Sequence, residues 1–275
     1  MYFLYMQIVS YNVALCPVLR GDFENKIVDI INFINNDLNN CDVICLQETT
    51  GTWDSPCIPY RNRCLSSLSV FFGNCIPVCY STLRERIIAE CKKTFPYSFE
   101  SEKIKKCNKL FCSNEYYDSG LLILSKHSIK DKECINYLEN IDVGQKGLLK
   151  CKINGVTVVN THLIPSNYGN KLTNFIRENQ LDQIRECTKF DSKIIIAGDM
   201  NIDSENRKNY DYMLYCLSVS DASIRNNITY WADTEVLYDD KKLDYFLTRG
   251  LETENYRVID TYISDHKPIV VKIIC

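Results

Sequence analysis

The stretch Lys193-Ile-Ile-Ile-Ala-Gly-Asp-Met-Asn201 decides how the rest of the chain is read. Three consecutive isoleucines and an alanine form a short apolar, β-branched run, the pattern of a buried strand, and the run passes directly into Gly198-Asp199-Met200-Asn201. Polar, chemically able side chains therefore stand at a strand exit. The arrangement recurs on both sides. Val156 to Asn160 runs into Thr161-His162-Leu163, and Ile269 to Ile274 is entered just after Ser264-Asp265-His266. Met6 to Tyr11 ends at Asn12, and Asp42 to Gln47 ends at Glu48. Five strand ends thus present Asn, Glu, His, Asp with Asn, and Asp with His, and they are expected to share one pocket.

With 275 residues, 45% of them hydrophobic and 24% charged, the chain can bury a sizeable core and is expected to form one large domain over 1–275. A formal charge of −3 excludes a global basic field for gathering nucleic acid or anionic lipid. Only a local patch, Lys103, Lys105, Lys106 and Lys109, departs from that balance. Met1 to Val9 is apolar but too short to span a bilayer and carries no basic leader, so a cytoplasmic monomer is expected. Fifteen cysteines is a high count, and seven of them (Cys57, Cys64, Cys75, Cys79, Cys91, Cys107, Cys112) lie between Trp53 and Ser113. No C-x-x-C spacing and no histidine occurs there, so reduced, buried thiols are expected in place of zinc or disulfides.

Between these strands the hydrophobic period changes to that of helices. Residues 22–38 place Ile27, Ile30, Ile31, Ile34 and Leu38 on one face. Residues 81–93, 170–188 and 207–217 are likewise helical, the third carrying Arg177 and Gln180 on one face and the last a stripe of Tyr210, Met213, Leu214 and Leu217. Gly120 to Ser125 reads as another buried strand. Residues 50–82 break the pattern with cysteines, prolines and the apolar runs around Phe71, Phe72 and Ile76 to Tyr80, and are expected to be an irregular insertion.

Convergence of Asn12, Glu48, His162, Asp199, Asn201, Asp244, Asp265 and His266 would place four carboxylates in one partly dehydrated pocket. They cannot all stay ionised there without a compensating cation. Oxygen donors from Asn, Asp and Glu suit a hard ion, Mg²⁺ or Mn²⁺, and leave the imidazoles free for proton work. A hard cation beside imidazoles and a carboxylate base is the equipment for hydrolysing a phosphate ester.

Seven fragments, in order, carry a resemblance: Ser-Tyr-Asn12-Val, Leu-Gln-Glu48-Thr, Ser119-Gly120-Leu121-Leu122-Ile123-Leu124-Ser125, Thr-His162-Leu, Gly-Asp199-Met-Asn201, Leu243-Asp244-Tyr245-Phe246 and Ser-Asp265-His266-Lys-Pro. Together they resemble the endonuclease/exonuclease/phosphatase superfamily. The resemblance implies an α/β fold of the DNase I-like type, a four-layer sandwich of two mixed β-sheets flanked by helices. It implies metal binding by Asn12, Glu48 and Asp265, with Glu48 the direct ligand. Asp199 is expected to align or deprotonate the attacking water and Asn201 to hold the phosphate. His162 and His266 are expected to donate to phosphoryl oxygens, Asp265 to orient His266, and Asp244 to support a histidine or the leaving group. Lys146 and Tyr117 join Asn201 as expected substrate contacts.

Within the superfamily, the segment from Lys241 to Phe246 lacks the motif of inositol polyphosphate 5-phosphatases. Neutral sphingomyelinases are resembled in Tyr11-Asn12-Val13 followed by Pro17, in Lys146-Gly147, in Arg177 with Gln180, and in Tyr210 to Leu214. Abasic-site endonucleases are resembled at Leu46 to Thr49, Leu243 to Leu247 and Ser264 to His266. The expected partner is therefore a phosphodiester, a phospholipid headgroup first and nucleic acid second, with peripheral membrane contact through the 50–82 insertion. A non-catalytic relative that binds a phosphodiester or a protein is the alternative of another class.

Overall fold

The computed structural model describes residues 5–15, 23–49, 83–102, 118–139, 145–166, 170–223, 227–230 and 240–274. The 50–82 insertion, the Lys103 to Lys109 patch, Tyr117, and Cys57, Cys64, Cys75, Cys79, Cys107 and Cys112 lie outside the described residues.

The first sheet is built from β1 (Tyr5–Asn12), β2 (Val43–Gln47), β3 (Tyr97–Glu100), β4 (Leu122–Ser125), β11 (Glu252–Val258) and β12 (Ile269–Ile274), in the order β11-β12-β1-β2-β4-β3. The second holds β5 (Lys130–Asn136), β6 (Gly147–Ile153), β7 (Val156–His162), β8 (Ile194–Asp199), β9 (Ser220–Asp221) and β10 (Asp244–Arg249), in the order β5-β6-β7-β8-β10-β9. Each sheet is mixed, with one parallel pair near its centre: β1 with β2, and β7 with β8. Parallel neighbours need a crossover on a sheet face, and helices supply it. α1 (Phe23–Asn36) links β1 to β2, and α3 (Asn170–Thr188) links β7 to β8. α2 (Leu83–Cys91) packs beside α1, and α4 (Arg207–Leu217) beside α3.

Strand period two then assigns every side chain to a layer. Met6, Ile8, Val43 and Cys45 of the first sheet meet Val156, Val158, Ile195, Ala197 and Phe246 of the second in a core between the sheets. The alternate residues Val9, Tyr11, Ile44 and Leu46 face outward under Ile27, Ile30, Ile34 and Ile87 of α1 and α2. Val159, Ile194, Ile196 and Leu247 face outward under Leu181, Ile184 and Met213 of α3 and α4. This is the four-layer α/β sandwich expected from the sequence, and burial of each large aliphatic side chain contributes roughly 1.5–3 kcal/mol to it.

The strand reading is extended in one respect. β7 and β8 continue through His162 and Asp199, which are strand residues with fixed register and not loop residues beyond the strand. Cys41, Cys45, Cys91, Cys151 and Cys216 are buried free thiols, as expected for those members of the cysteine set. Among the described residues, no helix is long and apolar enough to cross a membrane.

Candidate active site

Both parallel pairs end at the same edge of the sandwich, and the inner-face alternation becomes polar there in two steps. The first step is neutral. Ser10, Gln47 and Asn160 continue the inner faces of β1, β2 and β7, all fully buried. Gln47 Nε2 donates to Ser10 Oγ at 3.1 Å and to Asn160 Oδ1 at 2.8 Å, while Asn160 Nδ2 donates to the carbonyls of Leu46 and Leu122 at 2.9 and 3.1 Å. These bonds stitch the two sheets together beneath the site. Most of these buried polar atoms pair with one another, while Gln47 Oε1 is buried without a hydrogen-bond partner.

The second step is charged. Gly147, His162, Asp199 and Asp244 are successive register partners across β6, β7, β8 and β10, so they form one transverse row. Asp199 Oδ2 stands 3.5 Å from His162 Nε2 and 3.6 Å from His266 Nε2, and accepts from Asn12 Nδ2 at 3.1 Å. From the opposite sheet, the same Asn12 amide group donates to Glu48 Oε1 at 3.1 Å. Glu48 Oε1 lies 3.9 Å from His162 Nε2. Asn12, Glu48, His162, Asp199, Asp244 and His266 are thus brought together as expected.

The backbone is shaped to allow this. Gly198 has φ +148°, and a Cβ on it would sit 1.9 Å from the carbonyl oxygen of Thr161, so only glycine lets β8 approach β7 just before Asp199. Glu48 and Asn201 both adopt left-handed backbone, at φ +56° and +50°. Such conformations are uncommon outside glycine and persist where neighbours over-determine them. The Asn201 N–H donates to Asp199 Oδ1 at 2.8 Å, and its side-chain amide to the Leu163 carbonyl at 3.0 Å, fastening the two strand exits to each other. Arg177 and Gln180 hold the same exit from α3: Arg177 Nε donates to the Ile164 carbonyl at 2.9 Å, and Gln180 Oε1 accepts from the Ile164 N–H at 3.1 Å.

One expectation is corrected by the geometry. Asp265 does not hold His266. The His266 Nδ1 partner is Asp244 Oδ2 at 2.8 Å, whereas Asp265 is exposed and accepts from the Ser264 hydroxyl at 3.2 Å. Asn12, expected in the metal site beside Glu48, accepts the Ala14 N–H on Oδ1 at 3.0 Å and bridges the carboxylates of Glu48 and Asp199 through Nδ2. Lys146, expected as a substrate contact, has Nζ 3.2 Å from both ring nitrogens of His162. Two residues were missed. Thr229 Oγ1 accepts the backbone N–H groups of Leu243 and Asp244 at 3.0 and 3.1 Å, and the Tyr230 ring packs edge-on to His266 with centroids 5.0 Å apart. No motif marks either of them; only the following Asp244 and His266 do.

The two imidazoles are pushed in opposite directions. Burial, then the Lys146 ammonium and His266, hold His162 well below the usual imidazole range. Burial alone would lower His266 too, but the carboxylates of Asp244 and Asp199 outweigh it and raise its affinity for a proton. Burial raises Asp199, opposed by His266 and assisted by Asp244. The site thus favours a neutral His162 and a protonated His266, with the Asp199 carboxyl between them raised to about 7.

A divalent cation fits these donors. Carboxylate oxygens of Asp199 and Asp244 lie within 4.8 Å of each other, beside His266, which as an imidazolium donates and does not ligate, and Asp244 Oδ1 is buried with no hydrogen-bond partner. The carboxylate of Glu48 stands at the outer side of the same cluster, with its side chain 26% exposed. Carboxylate-rich, oxygen-dominated coordination suits a hard ion.

The sequence profile described as the Endonuclease/Exonuclease/phosphatase family matches residues 9–266, and the chain belongs to that family. Solved structures share its fold at low identity. SmcL superposes with a TM-score of 0.67 at 18% identity, covering 98% of this chain and 99% of SmcL. A beta toxin structure from Staphylococcus aureus gives 0.62 at 20% identity, covering 97% and 99%. Truncated TDP2 from Caenorhabditis elegans gives 0.59 at 16% identity, covering 99% and 98%. No curated protein matches the chain in sequence. Family and site together make the chain a phosphate-ester hydrolase.

Proposed function

We propose that the chain is a Mg²⁺-dependent phosphodiesterase that releases the headgroup of a phospholipid of the sphingomyelin type. The observation that carries the chemistry is the Asp244–His266–Asp199–His162 row, facing Glu48 across the sandwich edge. Glu48, with the unpartnered Asp244 Oδ1, would hold the cation, which when bound neutralises charge on the phosphoryl oxygens. Asp199 accepts a proton from the water that attacks phosphorus. His266, kept protonated and fixed in orientation by Asp244, donates to the oxygen that departs as the phosphorus–oxygen ester bond breaks. His162, kept neutral, donates a hydrogen bond from its single N–H, and the adjacent Lys146 ammonium offsets charge on the phosphoryl group. Asn201 sets the position of Asp199 through its backbone N–H and reaches the phosphate from the same turn.

The lipid preference rests on the resemblance at Tyr11 to Val13, Lys146-Gly147, Arg177 with Gln180, and Tyr210 to Leu214, together with the acidic net charge of −3. Arg177 and Gln180 act there by clamping the exit of β7. Purified protein offered sphingomyelin vesicles and abasic-site duplex DNA, each with Mg²⁺ and with EDTA, tests the reading. Release of phosphocholine that stops with EDTA is expected. Cleavage of the DNA with vesicles left intact would replace the lipid substrate by nucleic acid.

A further inference from the structure

Arg84, in the first turn of α2, is fully buried, and its guanidinium is used on every side. Nη1 and Nη2 fork onto Asp118 Oδ1 and Oδ2 at 3.1 and 2.8 Å, and Nε meets Glu100 Oε2 at 2.6 Å. Nη1 also donates to Ser101 Oγ at 2.8 Å, and Nη2 to the Ser101 carbonyl at 3.1 Å. Burying such a pair gains little stability over an apolar replacement, because both charges must be stripped of water. A fork of this kind does supply direction, since a planar guanidinium fixes the carboxylate that it grips.

The fixed carboxylate leads to the site. Asp118 Oδ1 accepts the Gly120 N–H at 2.8 Å, and Gly120 adopts left-handed backbone at φ +63°. The Gly120 carbonyl in turn accepts both donors of Thr49, its N–H at 2.8 Å and its hydroxyl at 2.9 Å. Thr49 follows Glu48, whose own left-handed backbone is held on its other side by the Leu15 N–H, 3.1 Å from the Glu48 carbonyl oxygen. The Gly120 peptide is therefore bracketed between Asp118 and Thr49, and Glu48 stands at the end of that bracket.

We propose that the Arg84–Asp118 pair is a positioning device for Glu48, acting through Gly120 and Thr49 to set the affinity of the site for its divalent cation. The inference rests on Glu48 being a ligand of that cation. Arg84 does not touch the substrate; its effect reaches the site only through the Gly120 peptide that it braces.

Mn²⁺ binding to the full chain, measured by calorimetry without substrate, tests this alongside the melting temperature. Arg84→Lys keeps the charge and loses the fork. Thr49→Val keeps the shape and loses the hydroxyl bond to Gly120. Each should weaken Mn²⁺ binding about tenfold or more, within the range found for residues that orient metal ligands. Arg249→Lys is the control: that guanidinium gathers the carbonyls of Asp191, Leu217 and Thr188 at the opposite end of β10, so it should lower the melting temperature and leave Mn²⁺ affinity unchanged. If Arg84→Lys fails to fold, Thr49→Val decides. Wild-type affinity in the folded variants overturns the inference, whatever their melting temperatures. So does wild-type affinity in Glu48→Gln, which removes the premise. Weakened Mn²⁺ binding in a protein that hydrolyses neither lipid nor DNA overturns the proposed function and upholds the positioning role.

Discussion

His266 and Asp244 form a buried pair in which Nδ1 meets Oδ2 at 2.8 Å, although Asp244 opens β10 of the second sheet and His266 lies in the segment that leads into β12 of the first. The carboxylate fixes the ring so that Nε2 faces Asp199. Asp244→Asn should therefore lose activity nearly as far as His266→Ala, each by roughly 10²–10⁴ in turnover. The double variant should be little worse than the worse single one, because residues that act as a unit are strongly non-additive. Turnover of a soluble phosphodiester in the three variants measures this; strictly multiplicative losses would separate the two roles. Asp265→Asn, at an exposed position, should be far milder than Asp244→Asn.

Replacing Glu48 by Gln should raise the Mg²⁺ concentration needed for half-maximal turnover and lower the maximum, with the fold retained. The side chain is partly exposed and its removal orphans no buried charge. A Mg²⁺ titration of activity with circular dichroism of both proteins checks it.

The opposed proton affinities of His162 and His266 give a pH signature in the metal-free protein. His266 is raised above its unfolded value, so its contribution to stability is complete below about pH 6.5 and is lost as pH rises through its folded value. His162 is lowered, so its contribution is present above about pH 6.5 and is lost as pH falls through its folded value. In proton NMR the His266 ring should remain imidazolium past neutrality, while the His162 ring stays neutral in mild acid. Both rings titrating together near 6.5 would contradict the arrangement of Lys146, Asp244 and Asp199 around them.

Gln47→Leu should cost about 1–3 kcal/mol, since it leaves Ser10 Oγ and Asn160 Oδ1 without the donor that joins the sheets. Urea unfolding reads the loss directly. A change within a few tenths of a kcal/mol would mean that water or a rotated neighbour replaces the amide.

The strands that carry the site were legible for a physical reason. β7 and β8 are buried on both faces and so read as unbroken β-branched runs. Edge strands β5 and β11 were not read, because Lys130–Asn136 and Glu252–Val258 are largely exposed and carry charged side chains in place of an apolar pattern. Most site residues were legible because they fall in motifs at strand ends. The partner of His266 was legible only in part, since Asp244 was expected to support a histidine or the leaving group while Asp265 was expected to orient His266. Adjacency in sequence suggested Asp265, but in the bent segment before β12 Asp265 is exposed while His266 is buried, and the distant Asp244 fills the place. Arg84 gave no signal, since a basic residue opening a helix ordinarily reads as solvated surface.

The transverse row of Gly147, His162, Asp199 and Asp244 has a consequence for how this chain can vary over time. Loops between the strands can lengthen or shorten without disturbing it. A single residue gained or lost inside β7, β8 or β10 would turn that strand's reactive group out of the inter-sheet layer and onto the helix-covered face. Insertions and deletions in descendants of this sequence should therefore be confined to the segments between strands, with strand lengths held constant up to the row.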